Sequence, residues 1–217
     1  MTERFPGYDV LAKRHTLSWN EATRRVVDQR LAVHPGPRFF TPDEWPTVCA
    51  ICARILPQPK DRSPVPIPAY IDDKLLHGKI DGYRDATLPH QGDAWRIAVA
   101  ALDAQAREAH GRGFADLDAA GQDALLTAMQ KGELAGERWQ GMPSDVFFAK
   151  RVLHDVTNAY YAHPTAWSEM GFAGPASPRG YVRMDANQRD PWEAAEAYPD
   201  RGPKAAAEAF AKNKTIV

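Results

Sequence analysis

Two cysteines, seven histidines and a scatter of acids are the residues that could carry chemistry in this chain of 217 residues. Cys49 and Cys52 stand three apart, the spacing of a redox dithiol or of half a metal cluster. A redox dithiol opens a helix after a strand, where the helix dipole lowers the thiol pKa. This pair instead falls two turns into a helical stripe with no strand pattern before it. Covalent haem attachment needs His after the second Cys, and Ala53 stands there. A four-ligand zinc or iron–sulfur centre needs a second pair, which the sequence lacks. The two thiols therefore read as buried structural cysteines. Asp73 and His77 have the i, i+4 spacing that puts two groups on one helix face, and they read as a surface ion pair. His163 precedes Pro164 where a helix must stop, a place for imidazolium to cap free carbonyls. Asp72 and Asp73 are adjacent, so they diverge on a helix and cannot work as acid and base. No phosphate-binding glycine loop, His-Glu-x-x-His or Gly-x-Ser-x-Gly occurs. The expectation is that no residue of this chain is catalytic, binds a cofactor or holds a metal. The competing readings are a helical metal-dependent enzyme using Asp73, His77 or His163, and a small dithiol redox carrier using Cys49 and Cys52.

The elements that must position these residues are helices. Ser18-Trp19-Asn20-Glu21 has the form of a capping box and predicts a helix to about residue 33. Thr41-Pro42-Asp43-Glu44 predicts a second start, followed by Trp45, Val48, Cys49, Cys52, Ile55 and Leu56 on one stripe. Pro57, Pro59, Pro64, Pro66 and Pro68 then demand an extended connector. A short helix through Ile67, Ile71 and Leu75 follows, closed by Gly78. Asp93 caps a long helix that Gly111 stops, and residues 117–129 repeat the pattern. Residues 145–161 are the most apolar, with Val146, Ala149, Leu153, Val156 and Tyr160 on one face and Phe148, Val152 and Ala159 on another. They are expected at the centre of a bundle, with His163 capping their end. Residues 203–214 form a further, weakly amphipathic helix. The fold class is all-α: an irregular helical bundle of about six main helices with a long irregular C-terminal segment. The expected organisation is an N-terminal basic segment with one helix (1–38), the bundle (39–165) and an extended C-terminal segment (166–217).

Charge sets further limits. Lys and Arg number 27 against 28 Asp and Glu, net −1, so the basic excess of a nucleic-acid binder is missing. No apolar run has the roughly 20 residues of a membrane span. Arg24-Arg25 is followed by Asp28 and Arg30 within a few residues, which spoils the apolar core of a twin-arginine export signal. A cytoplasmic location is expected on that ground, or a periplasmic one if a partner carries the chain out.

Several fragments together point to one family. They are Phe39-Phe40-Thr41-x-x-Glu44, Ile55-Leu56-Pro57, Pro68-x-x-Ile71-Asp72, Gly113-Phe114-x-x-Leu117 and Phe147-Phe148. The most specific run is Tyr160-Tyr161-x-His163-Pro164-x-x-Trp167-x-Glu169-x-Gly171, then Gly174-Pro175-x-x-Pro178-Arg179-Gly180-Tyr181. Over residues 39–183 the chain resembles the gluconate 2-dehydrogenase subunit 3 family, the small (gamma) subunit of membrane-associated flavin dehydrogenases. The resemblance implies a non-catalytic helical partner of a larger FAD-containing subunit of the glucose–methanol–choline type. Such a subunit oxidises sugars, sugar acids or glycosides and passes electrons to a cytochrome c subunit or another acceptor. The small subunit is implied to help its partner fold or mature. The cofactor expectation is then FAD on the partner and none here. Aromatic and arginine side chains dominate interface hot spots. The expected docking set is therefore Tyr160, Tyr161, Trp167, Arg179, Tyr181, Arg183 and Trp192. Removing Tyr181 and Trp192 is expected to weaken the complex and to leave the melting temperature of the free chain almost unmoved.

Overall fold

A computed structural model describes residues 3–82 and 84–216. Among these residues it is all-α, with nine α-helices and no strand. They are α1 (Glu21–Leu31), α2 (Trp45–Ile55), α3 (Ile67–Leu76), α4 (Gln91–His110), α5 (Ala119–Gln130), α6 (Ser144–Phe147), α7 (His154–Tyr161), α8 (Pro164–Met170) and α9 (Gly202–Lys214). None of them is long and apolar enough to cross a membrane. The chain divides into two compact units, residues 33–160 and residues 1–32 with 161–217. The two end segments, separate in the sequence reading, thus share one unit.

The bundle unit, residues 33–160, is built on the stripes read above. Trp95 of α4 meets Phe147 edge to face at 5.4 Å and Phe40 at 6.1 Å, and Trp139 packs on Phe147 at 6.4 Å. Around them Ile51, Ile71, Leu102, Phe114 and Met129 are buried. The Thr41 box forms as expected. Glu44 Oε2 accepts from Thr41 N (2.8 Å) and Thr41 Oγ1 accepts from Glu44 N (3.2 Å). Just before it, the buried carboxylate of Asp72 accepts from the backbone N–H groups of Arg38, Phe39 and Phe40 at 2.8–2.9 Å. Three amide donors on one carboxylate hold that turn to α3. In the proline connector Gln58 brackets Val65, accepting from its N–H and donating to its carbonyl.

The expected central helix is not a plain α-helix. Residues Phe148–Leu153 form a π-helical stretch between α6 and α7. A π turn inserts a residue and rotates every later side chain about the axis. Leu153, expected inward, is exposed in that stretch, and Asp155 just after it is buried in the core. There it accepts from Trp95 Nε1 at 2.8 Å and Lys74 Nζ at 2.7 Å.

The two-ended unit has its own core of Phe5, Tyr8, Val10, Trp19, Val27, Trp167, Trp192, Ala194 and Ile216. Backbone pairing stitches it. Ser177 N donates to Ser18 O (3.0 Å), Asn20 N to Ser177 O (2.9 Å) and Ala197 N to Arg4 O (2.8 Å). Asn213 of α9 donates to Pro6 O and brackets the backbone of Ala195. The Ser18 capping box does not form. Asn20 caps α1 instead, accepting from Thr23 N at 2.8 Å. Ser18 is drawn inside, where its hydroxyl accepts from Lys13 Nζ at 2.9 Å.

Lys13 is fully buried, and among its described neighbours it bonds only to Ser18 Oγ and, at 3.4 Å, to Pro175 O. Burial pulls its pKa from the ordinary 10.5 to about 8, against the opposing pull of Glu193 and Asp190. Below pH 8 the folded and unfolded states both hold this proton, and the penalty of burying it is complete. Between pH 8 and 10.5 the folded state releases it first, so stability gains at most about 3 kcal/mol from this residue. Denaturant unfolding of the wild type and of Lys13→Met at neutral and alkaline pH should show the wild type gaining on the variant as pH rises. A difference independent of pH would contradict the buried charge.

Candidate partner-docking site

The chemistry-bearing side chains fall into settled places. Cys52 is buried and Cys49 half-buried, and burial pushes both thiols up, away from the reactive thiolate. Asp73 and His77 do meet, at 3.3 Å, but Arg38 (2.6 Å) and Lys79 (2.9 Å) sit on the same carboxylate. Three cationic or basic groups crowd the place a metal would take. His163, expected to cap the end of α7, has a bond at the next helix. Its Nδ1 accepts from Thr165 N at 3.2 Å and so caps the start of α8, because Pro164 at the first helical position begins a new helix there.

One constellation was not read from the sequence. Asp81, His154 and Asp155 bring a ligand atom each to within 4.8 Å of one another. The Lys74 ammonium already bonds both carboxylates, and Arg151 lies 3.4 Å from Asp81. Burial raises the Asp81 pKa, but Lys74, His154 and Arg151 outweigh it and hold the carboxyl below its ordinary value. A divalent ion would have to expel Lys74, so the donor set fits a charge-balanced clamp of α3 to α7 better than a metal centre.

The expected docking residues separate into two groups. Tyr160 is buried in the bundle unit, its hydroxyl 3.4 Å from Arg62 Nη2. Trp167 and Trp192 are only 4% and 9% exposed and belong to the core of the two-ended unit. Trp167 donates through its indole N–H to Tyr161 O at 2.6 Å and lies under Arg30. Trp192 lies under Arg179 at 5.0 Å, and its carbonyl accepts from Tyr8 OH. These two indoles cap their own unit, since burying so large an apolar surface outweighs leaving it exposed. Tyr161 is half exposed. Tyr181 is half-buried and donates to Gly174 O, and burial, with Glu193 and Asp190, pushes its pKa up to about 12. Arg179 and Arg183 converge on buried Asp190, at 2.7 and 3.2 Å.

What projects is the turn between these anchors. Residues 182–189 are all exposed, with Val182 at 56% and Met184 at 72%. Ten of the large exposed apolar side chains among the described residues lie in the two-ended unit, although it is the smaller one. They are Leu17, Val26, Leu31, Tyr161, Met170, Phe172, Val182, Met184, Tyr198 and Phe210, against Leu76, Ile80 and Leu153 in the bundle unit. Val26 and Phe172 also line, with Trp167, a groove of about 460 Å³. Contiguous exposed apolar surface marks interaction sites, and the groove lined by Val26, Trp167 and Phe172 is such a candidate. Val182 and Met184 escaped the sequence reading, which weighed only aromatic and arginine residues. Their signal was two apolar residues in a stretch with no period to bury them.

The structure thus has a helical bundle unit, a two-ended unit with many exposed apolar side chains, thiols raised in pKa by burial and acid clusters filled by cations. Residues 42–174, more than half of the chain, match the family described as gluconate 2-dehydrogenase subunit 3, and the chain belongs to that family. The family is named for one subunit of a dehydrogenase complex. No curated protein and no solved structure matches the chain. The match takes in Tyr160, Tyr161 and Trp167 but ends before Arg179, Tyr181, Arg183 and Trp192.

The burial of Trp192 reverses the expectation that its loss leaves the free chain's stability unmoved. Trp192→Ala should cost about 3–5 kcal/mol in denaturant unfolding of the isolated chain. Val182→Ala, at an exposed site, should stay within about 0.5 kcal/mol of wild type. Equal stability of the two variants would contradict this division.

Proposed function

We propose that this chain is a non-catalytic small subunit that docks on, and stabilises, an FAD-containing catalytic subunit of the glucose–methanol–choline type. In this reading the partner carries the flavin, oxidises a sugar, sugar acid or glycoside, and hands electrons to a cytochrome c subunit or another acceptor. The observation that carries it, beside the family membership, is the concentration of exposed apolar side chains on the two-ended unit. An apolar anchor needs a concave partner surface and excludes water best at the centre of an interface. Met184 suits such a role because its unbranched thioether adapts to an irregular surface. Val182 and Met184 are the proposed anchors, with Tyr161 and Tyr181 beside them and Arg179 and Arg183 at the base.

The experiment is co-expression with an FAD-containing subunit of that type. The two chains should co-purify, and the flavoprotein made alone should hold less FAD. Val182→Asp with Met184→Asp should weaken the complex by about 2 kcal/mol or more for each anchor, with the free chain's melting temperature unchanged. A flavoprotein that folds, loads FAD and oxidises its substrate equally well without this chain, and never binds it, would overturn the proposal.

A further inference from the structure

The projecting turn is held in one shape from its base. Within it, Arg183 O accepts from Ala186 N and Gln188 N, and Asn187 N donates to Met184 O at 2.9 Å. Asn187 takes the left-handed conformation (φ 51°) that closes the turn. These bonds shape the turn but do not fix it to the unit. That attachment runs through Asp190, which is 3% exposed. Its Oδ2 accepts from Arg179 Nη1 at 2.7 Å. Its Oδ1 lies 3.2 Å from Arg183 Nε, at ion-pair distance though without a well-aligned hydrogen bond. Its own N–H donates to Glu193 Oε2 at 2.5 Å. Arg179 lies on the ring of buried Trp192, so the same carboxylate joins the turn to the aromatic core. On the far side Arg189 Nη1 donates to Ala194 O at 2.9 Å.

We infer that Asp190 is a positioning residue: it locks the turn of residues 182–189 in the conformation that docks, and Arg179 and Arg183 serve the interface through it rather than by touching the partner. The inference rests on the docking role proposed above. A buried carboxylate bridging two arginines is costly to break from one side, because the remaining charges lose their partner. An interface turn already held in its bound shape has less conformational entropy to lose on docking. Arg183, half exposed beside Val182 and Met184, would by composition alone be taken for a direct contact.

The lock is read first without any partner. Glutamyl endopeptidase, under conditions in which it also cuts after Asp, can cleave after Asp185 inside the exposed turn, at a bond that neither variant alters. Asp190→Asn, which keeps the shape and removes the charge, should speed that cleavage at least tenfold in the full chain. Arg183→Ala, at a site too exposed to threaten folding, should speed it severalfold. Unchanged cleavage in both variants overturns the lock, whatever becomes of the docking proposal. The second arm measures binding to the co-expressed flavoprotein. Asp190→Asn should weaken it at least tenfold and Arg183→Ala severalfold, and the double variant should be no weaker than Asp190→Asn alone. Losses that multiply would mean that Arg183 touches the partner directly, which overturns the inference while leaving the docking role intact. Faster cleavage with undiminished binding would equally overturn it, as a lock that docking does not use.

Discussion

Tyr8, Trp19, Trp167 and Trp192 can be buried only together, and the two-ended unit follows from that constraint. Each such side chain buries roughly 150–250 Å², worth about 4–6 kcal/mol as an upper bound. The first thirty residues and the last fifty or so each supply part of that surface. Joined, they form one core in which Trp19 and Val27 from one end meet Trp167, Trp192 and Ile216 from the other. The polar stitches are the corollary. Once the indoles pack, Ser18, Ser177, Arg4 and Asn213 lie where their backbone and side-chain groups must pair across the two segments.

The same packing decides what remains outside. With Trp19, Trp167 and Trp192 inside, the exposed apolar surface is left to aliphatic side chains such as Val26, Val182 and Met184 and to Tyr161, Phe172, Tyr198 and Phe210. Charge is handled differently in the two units. In the bundle unit Asp72 and Asp155 are buried against amide, indole and ammonium donors and tie loops and helices together. In the two-ended unit Lys13 is buried with only neutral acceptors in contact, and Asp190 is buried with two arginines at the foot of a projecting turn. The first arrangement stabilises a scaffold; the second fixes a surface.

Much of the bundle was legible because its signals are local. The stripe of α2, the start at Thr41 and the stop at Gly111 each depend on neighbours within a turn or two, and all three form. The Ser18 box has the same local pattern and fails, because Lys13 and the pairing with Ser177 claim Ser18 for the interior. The π turn at Phe148–Leu153 was invisible, and so was the burial of Asp155 just after it, whose partners Trp95 and Lys74 lie far away in sequence. The shared core of the two ends was invisible for the same reason. Tyr8 meets Trp192 across 184 positions, and no periodicity records such a contact. The docking expectation gave weight to Trp167 and Trp192, and both rings are buried in their own unit. Composition marks Trp192 as a hot-spot type, and only burial shows that its ring is already spent on its own unit.

The central claim is that the two-ended unit presents the docking surface and that the turn of residues 182–189 leads it. Amide hydrogen exchange of the chain, free and bound to the proposed FAD-containing partner, tests this most directly. Protection gained on binding should concentrate in residues 161–189 and in α1, with α4 and α5 of the bundle unit unchanged. Protection confined to α4 and α5, with residues 182–189 exchanging as fast in the complex as in the free chain, would contradict it.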